Sequence, residues 1–306
     1  MVHKSSKGES IPSLDVPAAE YKAIAAGVRE AGTGVLQMIS DFEDLDAEFA
    51  LMRDAAREAG RPLSFTLLQP DRYPDRWREI LRRVAAARAE GIDMKAQVAC
   101  RPIGLMLGLQ CTMSPFMFAS AYRDIAQLPL AERVARLRDP AVRAAILAEG
   151  DTVASTDRFA TIGMMAAHRA ELVFPLGPEG EELDYEPTPE MSLAARASAG
   201  GVSSLELFYD LMLQHEGRAM FVVPFFNFVH GNHDDIHEML THPASLPGLG
   251  DGGAHLATIC DASMPTYQLS HWVKGRTRGA RLSLEAAVRM QTLDAAQHYG
   301  LGDRGS

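Results

Sequence analysis

Along the first hundred residues, stretches with apolar positions at helical spacing alternate with short continuous apolar runs. Residues 17–31 read as an amphipathic helix, and Val35-Leu36-Gln37-Met38-Ile39 follows as a strand-like run. A second helical pattern covers residues 42–59, ends at Gly60, and precedes Leu63-Ser64-Phe65-Thr66-Leu67-Leu68. The third covers residues 77–89, ends at Gly91, and precedes the run 94–100. Each unit spans about thirty residues, the size of a βα repeat, and short apolar strands between helices predict a parallel sheet.

Between Cys111 and Gly217 this rhythm fails. Helical stretches at 130–138, 141–149 and 203–215 surround a Pro/Gly/Glu-rich stretch, 174–189, which reads as a surface loop. The pattern resumes with a strand-like run at 219–226, a helix at 234–240 and an apolar run ahead of Asp251. The organisation expected is therefore βα repeats over residues 1–110, a helical insertion or lid over 111–217, and a last strand with closing helices over 218–306. Four runs have the character of barrel strands and one is extra. A complete (β/α) barrel needs eight strands in about 250 residues and keeps its active site at their C-terminal ends.

Charge removes some functions from consideration. With 30 Lys and Arg against 40 Asp and Glu, the net charge is −10, and the arginines alternate with acidic residues along helices. That is a solvated surface rather than a nucleic-acid surface, which needs clustered cations. The three cysteines, Cys100, Cys111 and Cys260, imply no disulfide framework, and no CxxC pair points to a structural zinc. The start of the chain has no signal-like apolar stretch, and no apolar run reaches the roughly eighteen residues of a membrane span. A cytoplasmic protein without membrane contact is expected.

Candidate chemistry concentrates in Gly248-Leu249-Gly250-Asp251-Gly252-Gly253-Ala254-His255. Asp251 is a carboxylate held between glycines just after an apolar run, where the backbone can turn sharply and a ligand can come close. His255 reaches the same cleft if the turn opens into a helix, and is read as substrate-binding. The structural alternative is an Asp cap on a strand-to-helix turn. Downstream, Ser283 caps a helix with apolar positions Leu284, Ala287, Val288 and Leu293 that stops at Gly300.

This closing segment, Ser283 to Gly305, resembles the last barrel helix of the amidohydrolase superfamily. Within it, the D-aminoacylase (N-acyl-D-amino-acid deacylase) branch is the most similar. The likeness rests on Ser5-Ser6-Lys7-Gly8, Gln97-Val98-Ala99-Cys100-Arg101-Pro102 and Asp251-Gly252-Gly253-Ala254-His255. It covers most of the chain and is most specific from Gly248 onward. The resemblance implies an α/β fold, a partial (β/α)8 TIM-barrel-like metal-dependent hydrolase fold with a helical insertion. In it the Val35 run would be the fifth barrel strand and the Asp251 run the eighth, with strands one to four and a small β-sandwich expected before Met1.

The resemblance also implies hydrolysis of an N-acyl-amino acid or related amide at a divalent metal, usually zinc, whose bound water has a pKa near about 7. Asp251 would be a metal ligand and the general base, then general acid, of the reaction. The other family ligands do not carry over. No His-x-His occurs, and Met38-Ile39 and Leu67-Leu68 stand where strand-five and strand-six histidines would fall. The expectation is a chain that does not complete the zinc site alone. It would self-associate, take a completing chain, or serve as a non-catalytic binding or assembly module.

Three further readings come from the residues themselves. His233 and His237, four apart, would be neighbours on one helix face and form an alternative metal site with Asp234 and Asp235, or else lie exposed at a helix start. Arg101, at the end of the 94–100 run, would clamp a substrate carboxylate or pair with a neighbouring acid. Cys100 and Cys260 read as small buried residues rather than nucleophiles. No Gly-x-Ser-x-Gly elbow or P-loop is present.

Overall fold

The computed structural model describes residues 9, 16–114, 116–149, 169–176, 183–248, 250, 258–259 and 261–305. Among these residues seven strands run in chain order: β1 (Leu36–Met38), β2 (Leu63–Leu67), β3 (Met94–Ala99), β4 (Ile103–Gly108), β5 (Phe174–Pro175), β6 (Met220–Phe226) and β7 (Ser245–Gly248). The chain divides into two compact units. The first comprises Met1–Arg101, Asp234–Gly250 and Met264–Ser306, and the second Pro102–His233 and Asp251–Ser263.

The first unit is an α/β layer around a parallel sheet of order β1-β2-β3-β7. Helices α1 (Ala18–Ala31), α2 (Leu45–Ala59) and α3 (Arg76–Ala89) connect or precede its strands. Their ends follow local chemistry. Asp44 accepts a hydrogen bond from Ala47 N at 3.0 Å, and Gly32 and Gly60 close α1 and α2 in the left-handed conformation. The second helix begins at Leu45 instead of residue 42, because Phe42 has φ of 50° and Asp44 takes the cap.

All five residues of β2 are buried, as both-sided cover of a parallel sheet requires. Alternation sorts the strand residues onto two faces. Leu63, Phe65, Leu67, Ala96 and Val98 share one, where the Phe42 ring meets Phe65 edge-on at 5.5 Å. The leucine, phenylalanine and valine side chains among them each contribute about 1.5–3 kcal/mol when buried. Gln37, Ser64, Thr66 and Gln97 share the other. An unbonded buried amide there would cost about 1–3 kcal/mol. The buried Gln97 amide is bonded at both ends: its Oε1 accepts from the exposed Gln37 Nε2 (3.2 Å), and its Nε2 donates to Ser64 Oγ (3.1 Å), joining three strands.

Ser283 caps the first turn of Leu284–Arg289 through Ala286 N at 3.1 Å. A π-helical turn, Met290–Asp294, leads into Ala295–His298, and Gly300 ends the run with φ of 71°. Of the apolar positions expected to face the core, Ala287 is buried, whereas Leu284 and Val288 are 53% and 43% exposed.

The second unit holds an antiparallel sheet of order β4-β6-β5 and several helices. This corrects the expectation that the 219–226 run resumes the barrel rhythm. It is a strand, but it pairs antiparallel with β4, a strand not read from the sequence. The chain passes between the two units at Arg101/Pro102, His233/Asp234, Gly250/Asp251 and Ser263/Met264. Part of the 174–189 stretch also departs from a surface loop, because Phe174–Pro175 pairs with β6 and Tyr185 and Glu186 are buried.

The core of this unit is aromatic. Phe208 lies 4.4 Å from Phe221 between ring centroids, and Phe116 meets Tyr209 edge-on at 5.3 Å. Tyr209 OH donates to Leu137 O at 2.8 Å, and burial pushes its hydroxyl up to about 12. Among the described residues no helix is long and apolar enough to cross a membrane.

Candidate active site

In a parallel sheet the C-terminal ends of the strands gather the loops that can carry chemistry. In the first unit these ends lead to Gln69 after β2, to Cys100 and Arg101 after β3, and to the Gly248 segment at the end of β7. Asp251 and His255, the residues on which the sequence concentrated the chemistry, lie outside the described residues, as does Cys260. What is visible is the frame that leads to them.

Gly248 pairs with Ala99 across β3 and β7. A Cβ on Gly248 would lie 2.8 Å from the Gln97 Cβ, so the first glycine of the octet admits a neighbouring strand rather than a ligand. Gln97 is itself held by the Gln37 and Ser64 bonds, which fixes the end of β7 from below.

Cys100 is buried, its thiol donates to Met264 O at 2.9 Å, and its carbonyl accepts from Trp272 Nε1 at 2.6 Å. That environment matches a small packed residue and not an activated nucleophile. Arg101 follows directly and is 2% exposed, a deeply placed guanidinium.

The helix Asp234–Thr241 begins with two carboxylates, and each is engaged by an arginine. Asp235 accepts from Gln69 Nε2 at 2.5 Å and from Arg78 Nη2 at 2.9 Å. Arg78 also meets Glu238, and that bond together with the Asp235 charge raises its pKa further. Asp234 accepts from Arg276 Nη2 at 2.7 Å. Arg276 is fully buried, donates to Ala280 O at 2.5 Å, and lies 4.7 Å from the Trp272 ring. Both carboxylates, expected to complete a metal site, are thus held in ion pairs with arginines.

The expected shared helix face of His233 and His237 is not formed either, because the helix starts at Asp234 and His233 ends the preceding segment. His237 packs its ring 5.7 Å from that of Trp272. His233, in the second unit, is fully buried. Its Nε2 lies 2.9 Å from Tyr185 O, its backbone N–H donates to Glu186 Oε1 at 2.8 Å, and its Nδ1 is 3.6 Å from Glu186 Oε2. An imidazole and a carboxylate are ligands that zinc takes, although a catalytic zinc takes three from the protein. Sequence reading missed Glu186. The available signal was an aromatic residue, Tyr185, inside a stretch read as surface.

A model of the amidohydrolase family matches residues 5–306. No curated protein matches the chain. Similar solved structures include a D-aminoacylase described for the functional role of its binuclear metal center, at 16% identity and a TM-score of 0.49. Another is a D-aminoacylase structure said to define a novel subset of amidohydrolases, at 16% identity and a TM-score of 0.47. Each match covers 96% of this chain and 48% of the solved chain, so the chain spans about half the length of these relatives.

Proposed function

The chain belongs to the amidohydrolase family, and from that premise we propose that it serves in the hydrolysis of an amide bond in an N-acyl-amino acid or a related linear amide. The supporting observation is the parallel sheet whose last strand, β7, ends at Gly248, three positions before the glycine-framed Asp251 in the sequence. Asp251 takes a proton from the attacking water and returns it to the leaving nitrogen. Arg101 pairs with a substrate carboxylate, for which a guanidinium is the natural two-point partner, and His255 binds the substrate. Asp251, with His233 and His237 as the alternative, would hold a zinc ion, which when bound would supply a water of lowered pKa.

A second proposal concerns assembly. Among the described residues β1 and β7 are the edges of the parallel sheet, and an open parallel edge invites pairing. The functional form is a self-associated chain or one completed by another polypeptide.

Replacing Asp251 tests the catalytic assignment. Amide and carboxylate are nearly isosteric, so Asp251→Asn should leave the melting temperature in place while turnover falls by about 10²–10⁴, the usual worth of a general base. If Asp251 only caps a turn, Asn serves equally well. Turnover unchanged in the variant then ends the assignment.

A further inference from the structure

His298 ends the last helical turn of the first unit and is 2% exposed. Among the described residues neither of its ring nitrogens has a hydrogen-bond partner. A buried imidazole tolerates that only while neutral, because its charged form would lose water and gain nothing in exchange. The charged groups around it come from other elements: Arg88 on α3, and Asp93 and Lys95 at the start of β3. The carboxylate among them is taken, since Arg88 Nη1 donates to Asp93 Oδ1 at 2.6 Å. Two cations and one engaged anion therefore greet any proton on the ring. On its own element the neighbour is the Tyr299 ring, edge-on at 5.3 Å.

The segment that carries His298 is lightly tied. Leu301 N donates to Ala296 O at 2.9 Å and Gly300 N to Gln297 O at 3.2 Å, both local bonds. Gly305 folds back so closely that a Cβ on it would lie 2.8 Å from Ala296 Cβ. The preceding turn, Met290–Asp294, lies against β7.

We propose that His298 is an acid-sensitive latch: when its ring takes up a proton, the closing segment from Ala295 to Gly305 detaches from the start of β3. This device is independent of the hydrolase reading and needs no activity to observe. Its direction follows from linkage. Burial, ahead of the nearby charges, lowers the imidazole pKa in the closed form, while the detached form titrates near about 6.5. The closed form is fully favoured above that value and loses ground as pH falls below it, down to the closed-form pKa. One proton shifts the opening equilibrium by at most about tenfold per pH unit.

Amide hydrogen exchange of the full chain at pH 7, 6 and 5, expressed as protection relative to the unstructured rate, reads this equilibrium. Protection of the Tyr299, Gly300 and Leu301 amides should fall by up to about tenfold per unit below pH 6.5, and His298→Leu should remove that dependence. Equal pH dependence in the variant and the unaltered chain overturns the latch. If the variant does not fold, the ring titration of His298 in the unaltered chain decides by NMR. A ring that protonates at the ordinary value while the segment stays protected overturns it, and one that stays neutral until the segment opens supports it.

Discussion

Arg276 ties together several parts of the first unit's polar network. Its guanidinium is buried, bonded to Asp234 and Ala280 O, and set against Trp272, while its own carbonyl accepts from Arg281 Nε at 2.6 Å. Asp234 is exposed, so removing the arginine strands no buried anion, and the loss is that of charge-assisted bonds. Arg276→Met should lower unfolding stability by about 2–3 kcal/mol, read by urea denaturation, and Arg276→Lys should recover only part of it, because the planar fork is lost. A change in Arg276→Met within about 0.5 kcal/mol, as for an ordinary surface site, would contradict this role. Such roles were not legible in the sequence. Ser283 as a cap and Cys100 as a packed residue could be read because their neighbourhoods are local or purely steric. Gln69 and Asp235 could not, because they meet across 166 positions. Nor could Glu186 and His233, 47 apart, which join only after a strand and helices intervene.

Helices and strands were legible wherever a single period ruled. α1, α3 and the helix Asp234–Thr241 fall within a residue or so of the apolar spacing, and β1, β2, β3 and β7 are the four strands of the parallel sheet. The failure was β4 against β6. Both are short apolar runs, and apolarity alone does not distinguish a parallel barrel strand from an antiparallel one. The same close packing of strands gives an element-scale prediction at Gly248. This glycine does not adopt a left-handed φ, so only steric crowding opposes a side chain there. Gly248→Ala drives a Cβ to within 2.8 Å of Gln97 Cβ and should cost about 1–3 kcal/mol, seen as a melting temperature lowered by several degrees. An unchanged melting point would mean that β7 does not press on β3 as described.

At the scale of the whole molecule, family membership and the parallel sheet meet a chain that spans about half of its solved relatives. The resemblance read from residues Gly248 to Gly305 identified the family because catalytic turns and closing helices have specific spacings. Composition could not have done so. The donor set visible in the second unit, one imidazole and one carboxylate, leaves metal-dependent chemistry as the point on which the proposed function turns. The direct measurement is the release of free amino acid from N-acyl-amino acids by the purified, zinc-loaded chain, assayed across a size-exclusion profile with light scattering. The prediction is turnover that disappears with a chelator, returns with zinc, and elutes with a species heavier than one chain. Turnover at the mass of a single chain would remove the assembly proposal alone, whereas zinc-loaded protein without turnover in any fraction would contradict the hydrolase assignment itself.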